Sequence, residues 1–228
     1  MYNQHEQPTN NNQLIRGNNM SITTVSIEAA DAVSIASLVN SAATPAGAKI
    51  TPVLGEIEVS LQNNVLTATA TDRFMAATYS STATGQDTTF RLTAAAAKFL
   101  AANVKRVNKH YATPPVEFVI SQEDREVTIS HGGATFTDTW NHAKFPAILN
   151  LIDNWQPAAA AQPVKMRAEF LARLYKFVDA FIKVDYWLLE LGATTNTHKP
   201  ERAGPLMATA GKFRVIIMPN IYNAADRI

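Results

Sequence analysis

One order of elements can be read three times along this chain, and a repeated order constrains the fold more tightly than any single motif. In the first pass Ile22-Thr23-Thr24-Val25-Ser26-Ile27 alternates as a strand, and Asp31 stands where it would cap a helix carrying Val33, Ala36, Leu38 and Val39 on one side. A Thr44-Pro45-Ala46-Gly47 breaker ends that helix. Extended stretches follow at Leu54 to Leu61, at Val65 to Ala70 beyond an Asn63-Asn64 turn, and at Phe74 to Ser80.

The second pass opens with Thr89-Phe90-Arg91-Leu92 and a helix capped by Thr93, running from Ala94 to about Asn108 with Ala96, Phe99, Leu100 and Val104 at helical spacing. Its three strands are Val116 to Ser121, Glu126 to Ser130, and Ala134 to Trp140 beyond Gly132-Gly133. In the third pass Val164-Lys165-Met166 precedes a helix striped with Phe170, Leu171, Leu174, Phe177, Val178 and Phe181. Strands at Trp187 to Leu191, Leu206 to Thr209 and Phe213 to Met218 complete it.

A unit with one helix and a sheet that is apolar on one face cannot bury that face alone, so each must dock against a neighbour. The expected fold class is α+β, with continuous sheets on one surface and helices on the other. The expected organisation is a mobile Asn/Gln-rich tail over 1–19, a domain of two βαβββ units over 20–153 (20–85 and 86–153), an Ala/Pro linker over 154–163, and a third unit over 164–228.

Charge is distributed unevenly along the chain although the formal net charge is only +1. Between Asp87 and Glu117 no acidic residue occurs, while Arg91, Lys98, Lys105, Arg106 and Lys109 do. Offsets of seven and four bring Lys98, Lys105 and Lys109 to one side of the second helix with Arg106 beside them. The third helix sets Arg173 and Lys176 opposite its Phe/Leu stripe, whereas the first offers only Ser34, Ser37, Asn40 and Ser41. Acidic residues gather in the strand regions, at Glu56, Glu58, Glu117, Glu123, Asp124, Glu126 and Asp138. A cationic helix face suffices for duplex DNA bound without sequence preference, because phosphate contacts supply nearly all of that energy. For either helix taken alone the plainer alternative is a solvated surface.

Several function classes have little support. The absence of Cys removes disulfides, thiolate metal sites and a Cys nucleophile together. His5, His110, His131, His142 and His198 show no metal-ligand spacing, so neither a metal nor a cofactor is expected. Gly132-Gly133 fits a hairpin better than a phosphate cradle, no Gly-x-Ser-x-Gly elbow exists, and the lone Asp72-Arg73 pair reads as structural, so no catalytic residue is expected. With no apolar run of eighteen residues and no basic, apolar start, a cytoplasmic protein without membrane contact is expected.

Three segments, in order, resemble the bacterial DNA polymerase III β sliding clamp family. Thr69-Ala70-Thr71-Asp72-Arg73-Phe74-Met75-Ala76 is similar to the family's Ala-Thr-Asp-Gly-His-Arg-Leu-Ala stretch, Phe136 to Leu151 resembles its Phe-Pro segment, and Phe213 to Pro219 resembles its C-terminal Val-Val-Met-Pro strand. The resemblance implies a DNA-clamp fold, a processivity factor whose helices line a ring around double-stranded DNA, and short peptide motifs of the polymerase and clamp loader as partners. Carried over by matching motif, the peptide pocket would draw on Thr71, Phe74, Ala76, Ile216, Met218 and Pro219, residues that ordinary strand core would equally explain.

The chain departs from the family at Arg73-Phe74, which stand where the family has Gly-His, and at Asn220-Ile221 after Met218-Pro219. It departs most in holding three units against the family's six. Twelve units per ring then imply a homo-tetramer, with a trimer as runner-up. The competing reading is an oligomeric virion assembly protein, indifferent to DNA.

Overall fold

The computed structural model describes residues 22–41, 48–49, 51–104, 113–158, 168–177, 188–192 and 204–218. Strand β1 (Ile22–Ile27) leads into helix α1 (Ala29–Ser41), and a tight helical turn at Pro52–Gly55 precedes β2 (Ile57–Gln62), β3 (Val65–Thr71) and β4 (Met75–Thr82). After the two-residue β5 (Thr84–Gly85) come β6 (Thr88–Leu92), α2 (Ala94–Val104), β7 (Val116–Ser121), β8 (Glu126–His131) and β9 (Ala134–Thr139). A short α3 (Ile148–Asp153), then α4 (Ala168–Phe177), β10 (Leu188–Leu191), β11 (Leu206–Ala210) and β12 (Phe213–Ile217) complete the order. Val164-Lys165-Met166 lies outside the described residues, as do the expected N-terminal tail, most of the linker and the end of the second helix.

Local chemistry explains these elements. Ile57, Val59 and Leu61 alternate inward along β2, and Val116, Phe118 and Ile120 do so along β7. The hairpins close where positive φ is tolerated: Asn63 and Asn64 (φ 51° and 62°) join β2 to β3, and Gly132 and Gly133 (φ 56° and 83°) join β8 to β9. Thr93 caps α2, its Oγ1 accepting from the backbone N–H groups of Ala95 (3.1 Å) and Ala96 (3.3 Å). Asp31 does not cap α1, which begins two residues earlier; its buried carboxylate accepts instead from the Tyr79 hydroxyl and from Lys212 Nζ at 3.0 Å. Burial, and then the Asp31 carboxylate, push the Tyr79 pKa up. Leu54, expected in a strand, sits in the turn opened by Pro52, and the strand starts at Ile57.

The sheets are not the private property of each unit. β1 leaves its own unit and pairs antiparallel with β7 (Val25 opposite Phe118), giving a five-stranded sheet ordered β5-β1-β7-β8-β9. Reciprocally, β6 pairs with β2 of the first unit (Val59 opposite Phe90), inside a seven-stranded sheet ordered β10-β11-β12-β4-β3-β2-β6. That exchange is how two halves, each unable to close its own core, close one together. Ile35 and Leu38 of α1, Leu100 of α2, and the inward residues of both sheets form one buried cluster. Phe90 and Phe118 meet within it at 5.3 Å between ring centroids. The seven-stranded sheet then runs into the third unit, where β12 lies antiparallel to β4 with Ile216 opposite Ala76.

Candidate DNA-facing layer and partner groove

Helix α1 packs against α2 on one side and α4 on the other, so the three long helices form one layer over the inner sheet faces. Within α2 the residues Ala96, Ala97, Leu100 and Val104 are buried and Lys98 is exposed, as an amphipathic stripe requires. Lys105, Arg106 and Lys109 lie outside the described residues, and the Lys176 side chain is likewise not described. Arg91, counted in the basic excess of this segment, is not on the helix side. It points outward from β6 opposite Glu58, with Nε 3.5 Å from Glu58 and Nη1 3.5 Å from Glu56, and it donates to the carbonyls of Asn141 (3.0 Å) and Ala143 (2.7 Å). Burial raises the pKa of both glutamates, against the pull of Arg91. Asp138 likewise leaves the acidic outer face: on the helix side of β9 its carboxylate accepts the Thr93 hydroxyl.

On α4 the Arg173 guanidinium is 2.8 Å from the buried carboxylate of Asp72 and lies over the Phe170 ring at 5.7 Å. Its charge is thus engaged with the β3–β4 loop. Of the neutral residues expected on the α1 surface, Ser34 is half-buried with its Oγ donating to the Ala30 carbonyl at 3.0 Å, Ser37 is buried, and the side chains of Asn40 and Ser41 are not described.

The β3–β4 loop is a polar knot. Asp72 Oδ1 accepts from the backbone N–H groups of Phe74 (3.1 Å) and Met75 (3.0 Å), while the Thr71 hydroxyl donates to the Met75 carbonyl and accepts from the N–H of Arg73. Arg73 occupies a left-handed conformation (φ 80°) at the position where the resembling family has Gly, a conformation unfavourable for a side chain, and its Nη2 is held 2.6 Å from Thr51 Oγ1.

Five of the six residues expected to form a peptide pocket are described, and the β4–β12 ladder brings them to one end of the sheet junction. Ala76 and Ile216 are buried partners on the outer face, and the backbone N–H of Met218 donates to the Phe74 carbonyl at 2.9 Å. Thr71 is buried with its hydroxyl committed, whereas Phe74 (56% exposed) and Met218 (39%) are open. Phe74 leans toward the helix layer, 6.5 Å from Phe170 between centroids, so these residues straddle the sheet end instead of lining one face. Pro219 lies outside the described residues.

Sequence reasoning missed α3. This helix lies on the outer face, where Ile148, Ile152 and Trp155 pack with Ala76, Met207 and Ile216. Asp153 pairs with Arg214 at 2.9 Å, and Trp155 Nε1 donates to the Pro205 carbonyl at 3.0 Å. The i, i+4 spacing of Ile148 and Ile152 was the signal that could have found it. Among the described residues no cluster of three His, Asp or Glu side chains is placed to hold a metal, and no helix is long and apolar enough to cross a membrane.

No protein-family model matches this sequence, and no curated protein matches it. Solved structures do. The DNA polymerase III β subunit of Thermotoga maritima is similar at 12% identity and a TM-score of 0.67, over 95% of this chain and 70% of that one. The DNA polymerase sliding clamp of Caulobacter crescentus is similar at 13% identity and a TM-score of 0.62 (89% and 67%). A sliding clamp of Bartonella birtlesii, solved bound to griselimycin, is similar at 10% identity and a TM-score of 0.58 (90% and 67%). The chain therefore spans about two thirds of the length of the clamps it resembles. With β1 paired to β7, β6 paired to β2, a single helix layer and a sheet continued across β4 and β12, the chain has the fold of the DNA polymerase III β sliding clamps.

Proposed function

We propose that the chain is a DNA polymerase processivity factor, a non-enzymatic clamp that encircles duplex DNA and tethers a replicative polymerase to it. The observation that carries this reading is the continuous β4–β12 ladder, which extends the sheet of β2, β3, β4 and β6 into β10–β12 while helices α1, α2 and α4 stay in one layer. Continued through further copies, that geometry makes an outer wall of sheets and an inner wall of helices. In such a ring Lys98, Lys105, Arg106, Lys109 and Lys176 meet phosphates, and Arg173 contributes only the part of its field that Asp72 leaves uncompensated. Cytoplasmic replication machinery is the matching location.

The domain reading belongs to the same proposal: two units over 20–153, a linker over 154–163, and a third unit from 164 onward. Twelve units in a closed ring then require four chains, and three chains are the weaker alternative.

Two consequences are testable at once. Reversing charge with Lys98→Glu and Lys105→Glu should weaken duplex binding about tenfold at low salt and flatten its salt dependence by about one power for each phosphate left without its lysine. Unchanged binding in a fluorescence titration would remove the helix layer from the DNA account. Polymerase and loader motifs are proposed to dock at Thr71, Phe74, Ala76, Ile216, Met218 and Pro219, where open Phe74 and Met218 supply the apolar contact. Griselimycin is a ready probe, since a clamp of the same fold was solved with it bound. Met218→Asp should weaken that binding about thirtyfold in calorimetry, equivalent to one central contact of about 2 kcal/mol. Equal affinity in both proteins would move the site elsewhere.

A further inference from the structure

Three antiparallel meanders run through the two sheets: β2-β3-β4, β7-β8-β9 and β10-β11-β12. Two of them are joined through their last strands, β4 to β12, whereas the last strand of the other, β9, is a sheet edge. The remaining three edges are short or engaged. β5 has two residues, and β10 runs into an antiparallel bridge between Gly192 and Pro157. β6 has Gln122 donating to the Thr89 carbonyl at 2.7 Å, while its Arg91 reaches the carbonyls of Asn141 and Ala143.

β9 carries none of the devices that blunt an edge strand. Its six residues, Ala-Thr-Phe-Thr-Asp-Thr, include no Pro and no Lys, and its register against β8 is unbroken by a bulge. The Trp140 N–H donates to the Arg125 carbonyl, which turns the backbone groups of Ala134, Phe136 and Asp138 toward β8 and those of Thr135, Thr137 and Thr139 toward the open edge. Of these edge groups only the Thr139 N–H has a partner among the described residues, the Asp138 carboxylate at 2.9 Å. The three threonine side chains are exposed on the outer face, and Phe136, stacked on Phe99 at 5.2 Å between centroids, is only partly covered on the helix side.

β4 shows what a neighbour does for such a strand. There too the residues that bond across the junction, Ala76 and Ile216 among them, carry their side chains on the outer face. The inward aromatic of β4, Tyr79, stands directly opposite Phe213 of β12, with 4.5 Å between ring centroids. With β12 in place six of the eight β4 residues are buried, whereas none of the six in β9 is.

We infer that β9 is an isologous interface, pairing antiparallel with β9 of a second copy of the chain so that Phe136 faces the partner's Phe136 and Thr135 faces the partner's Thr137. The occupant follows from the junction already present. That junction joins last strand to last strand, and in every chain β4 and β12 are committed to each other, so the last strand left to meet β9 is another β9. A two-fold axis perpendicular to the sheet keeps the helices on one side, as they are at β4–β12, where α1 lies beside α4. The pairing opposes no like charges: Asp138, the one charged side chain of β9, falls across from Ala134. It also gives the two Phe136 rings the closer, non-hydrogen-bonded spacing of an antiparallel ladder. The inference deepens the ring reading above and rests on it only for the purpose of the contact. Contacts made in pairs allow a four-chain ring and exclude a three-chain one, which would leave one β9 open.

The absence of native cysteine makes the test clean. In the full-length chain, Thr137→Cys places a lone thiol beside the axis, and treatment with a short bis-maleimide should convert most of the protein into covalent dimers. Gln62→Cys, an exposed thiol on β2, should give almost none. Light scattering should give an even multiple of the 24.9 kDa chain. Thr137→Pro removes an edge-facing N–H and leaves the β8 pairing intact, so that mass should halve while the circular dichroism spectrum stays unchanged. Thr137→Val keeps the N–H and should keep the mass. A three-chain or single-chain mass, a Thr137→Cys protein that fails to cross-link, or a folded Thr137→Pro protein of undiminished mass overturns the inference. Should the proline variant lose its spectrum, the cross-linking yields of Thr137→Cys against Gln62→Cys decide alone. Failure of the clamp reading looks different: a cross-linking, even-numbered assembly that is not retained on circular DNA leaves this interface standing and removes only the encirclement.

Discussion

Replacing Phe90 by alanine is expected to lower the unfolding free energy by about 3–5 kcal/mol, among the largest effects a single substitution can have here. Phe90 belongs to β6, which the second unit lends to the sheet of the first, and it is fully buried. Its ring meets Phe118 of β7, the strand that receives β1 in return, so the contact joins the two sheets where they share a core. Truncation removes the transfer energy of a whole aromatic ring and leaves a cavity between two hydrogen-bonded sheets that cannot easily collapse. The ring pair itself adds about 0.5–1.5 kcal/mol. Urea unfolding measures the loss. A change under about 1 kcal/mol would mean that the two sheets do not share this core.

Arg91→Met carries the second large expectation, a loss of about 3–5 kcal/mol, because it strands two carboxylates that the fold has partly withdrawn from water. The Arg91 and Glu56 side chains retain only 13% and 9% exposure. Glu56 also accepts from the backbone N–H of Asn141 at 2.8 Å, and Arg91 donates to the neighbouring carbonyls, so one guanidinium fastens β6, β2 and the segment leading to Phe145. The pH dependence gives this prediction a second readout. Burial already raises the pKa of Glu56 and Glu58, and removing the cation raises them further. A carboxylate with a raised folded pKa binds its proton more tightly in the native state, so its destabilising contribution appears as pH climbs from the unfolded value through the folded one. The variant should therefore be closest to wild type in acid, at and below pH ~4.5, and fall furthest behind above the raised pKa values. A deficit independent of pH would assign the loss to packing alone.

How much of this was legible in the sequence differs by level. Among the described residues the order of the longer strands and helices was readable because alternation and 3.6-residue periodicity survive in single segments, and the turns announced themselves through Asn63-Asn64 and Gly132-Gly133, which tolerate the φ values found. The Thr93 cap was readable for the same local reason. Pairing partners were not. Periodicity says that Ile22 to Ile27 has a buried face, but the face looks the same whether β1 pairs inside its own unit or with β7. Charge was the least legible: Arg91 and Arg173 look like free cations along the chain, and only three-dimensional placement commits them to Glu56, Glu58 and Asp72. Asp31 shows the converse, a good cap by sequence that is drawn to Tyr79 and Lys212 instead. The six-residue α3 was too short to assert itself against a Pro-containing neighbourhood, although it covers the outer face of the β4–β12 junction.

Encirclement is the claim that joins these observations, and topology tests it more directly than affinity does. The protein is assembled on a closed circular duplex, separated from free protein by gel filtration at a salt concentration that abolishes its binding to linear DNA, and the circle is then cut once with a restriction enzyme. A ring held by topology should stay with the circle through the column and leave within minutes of the cut. Equal loss from cut and uncut circles would contradict the account, because a surface that merely attracts phosphates does not distinguish a strand with ends from one without.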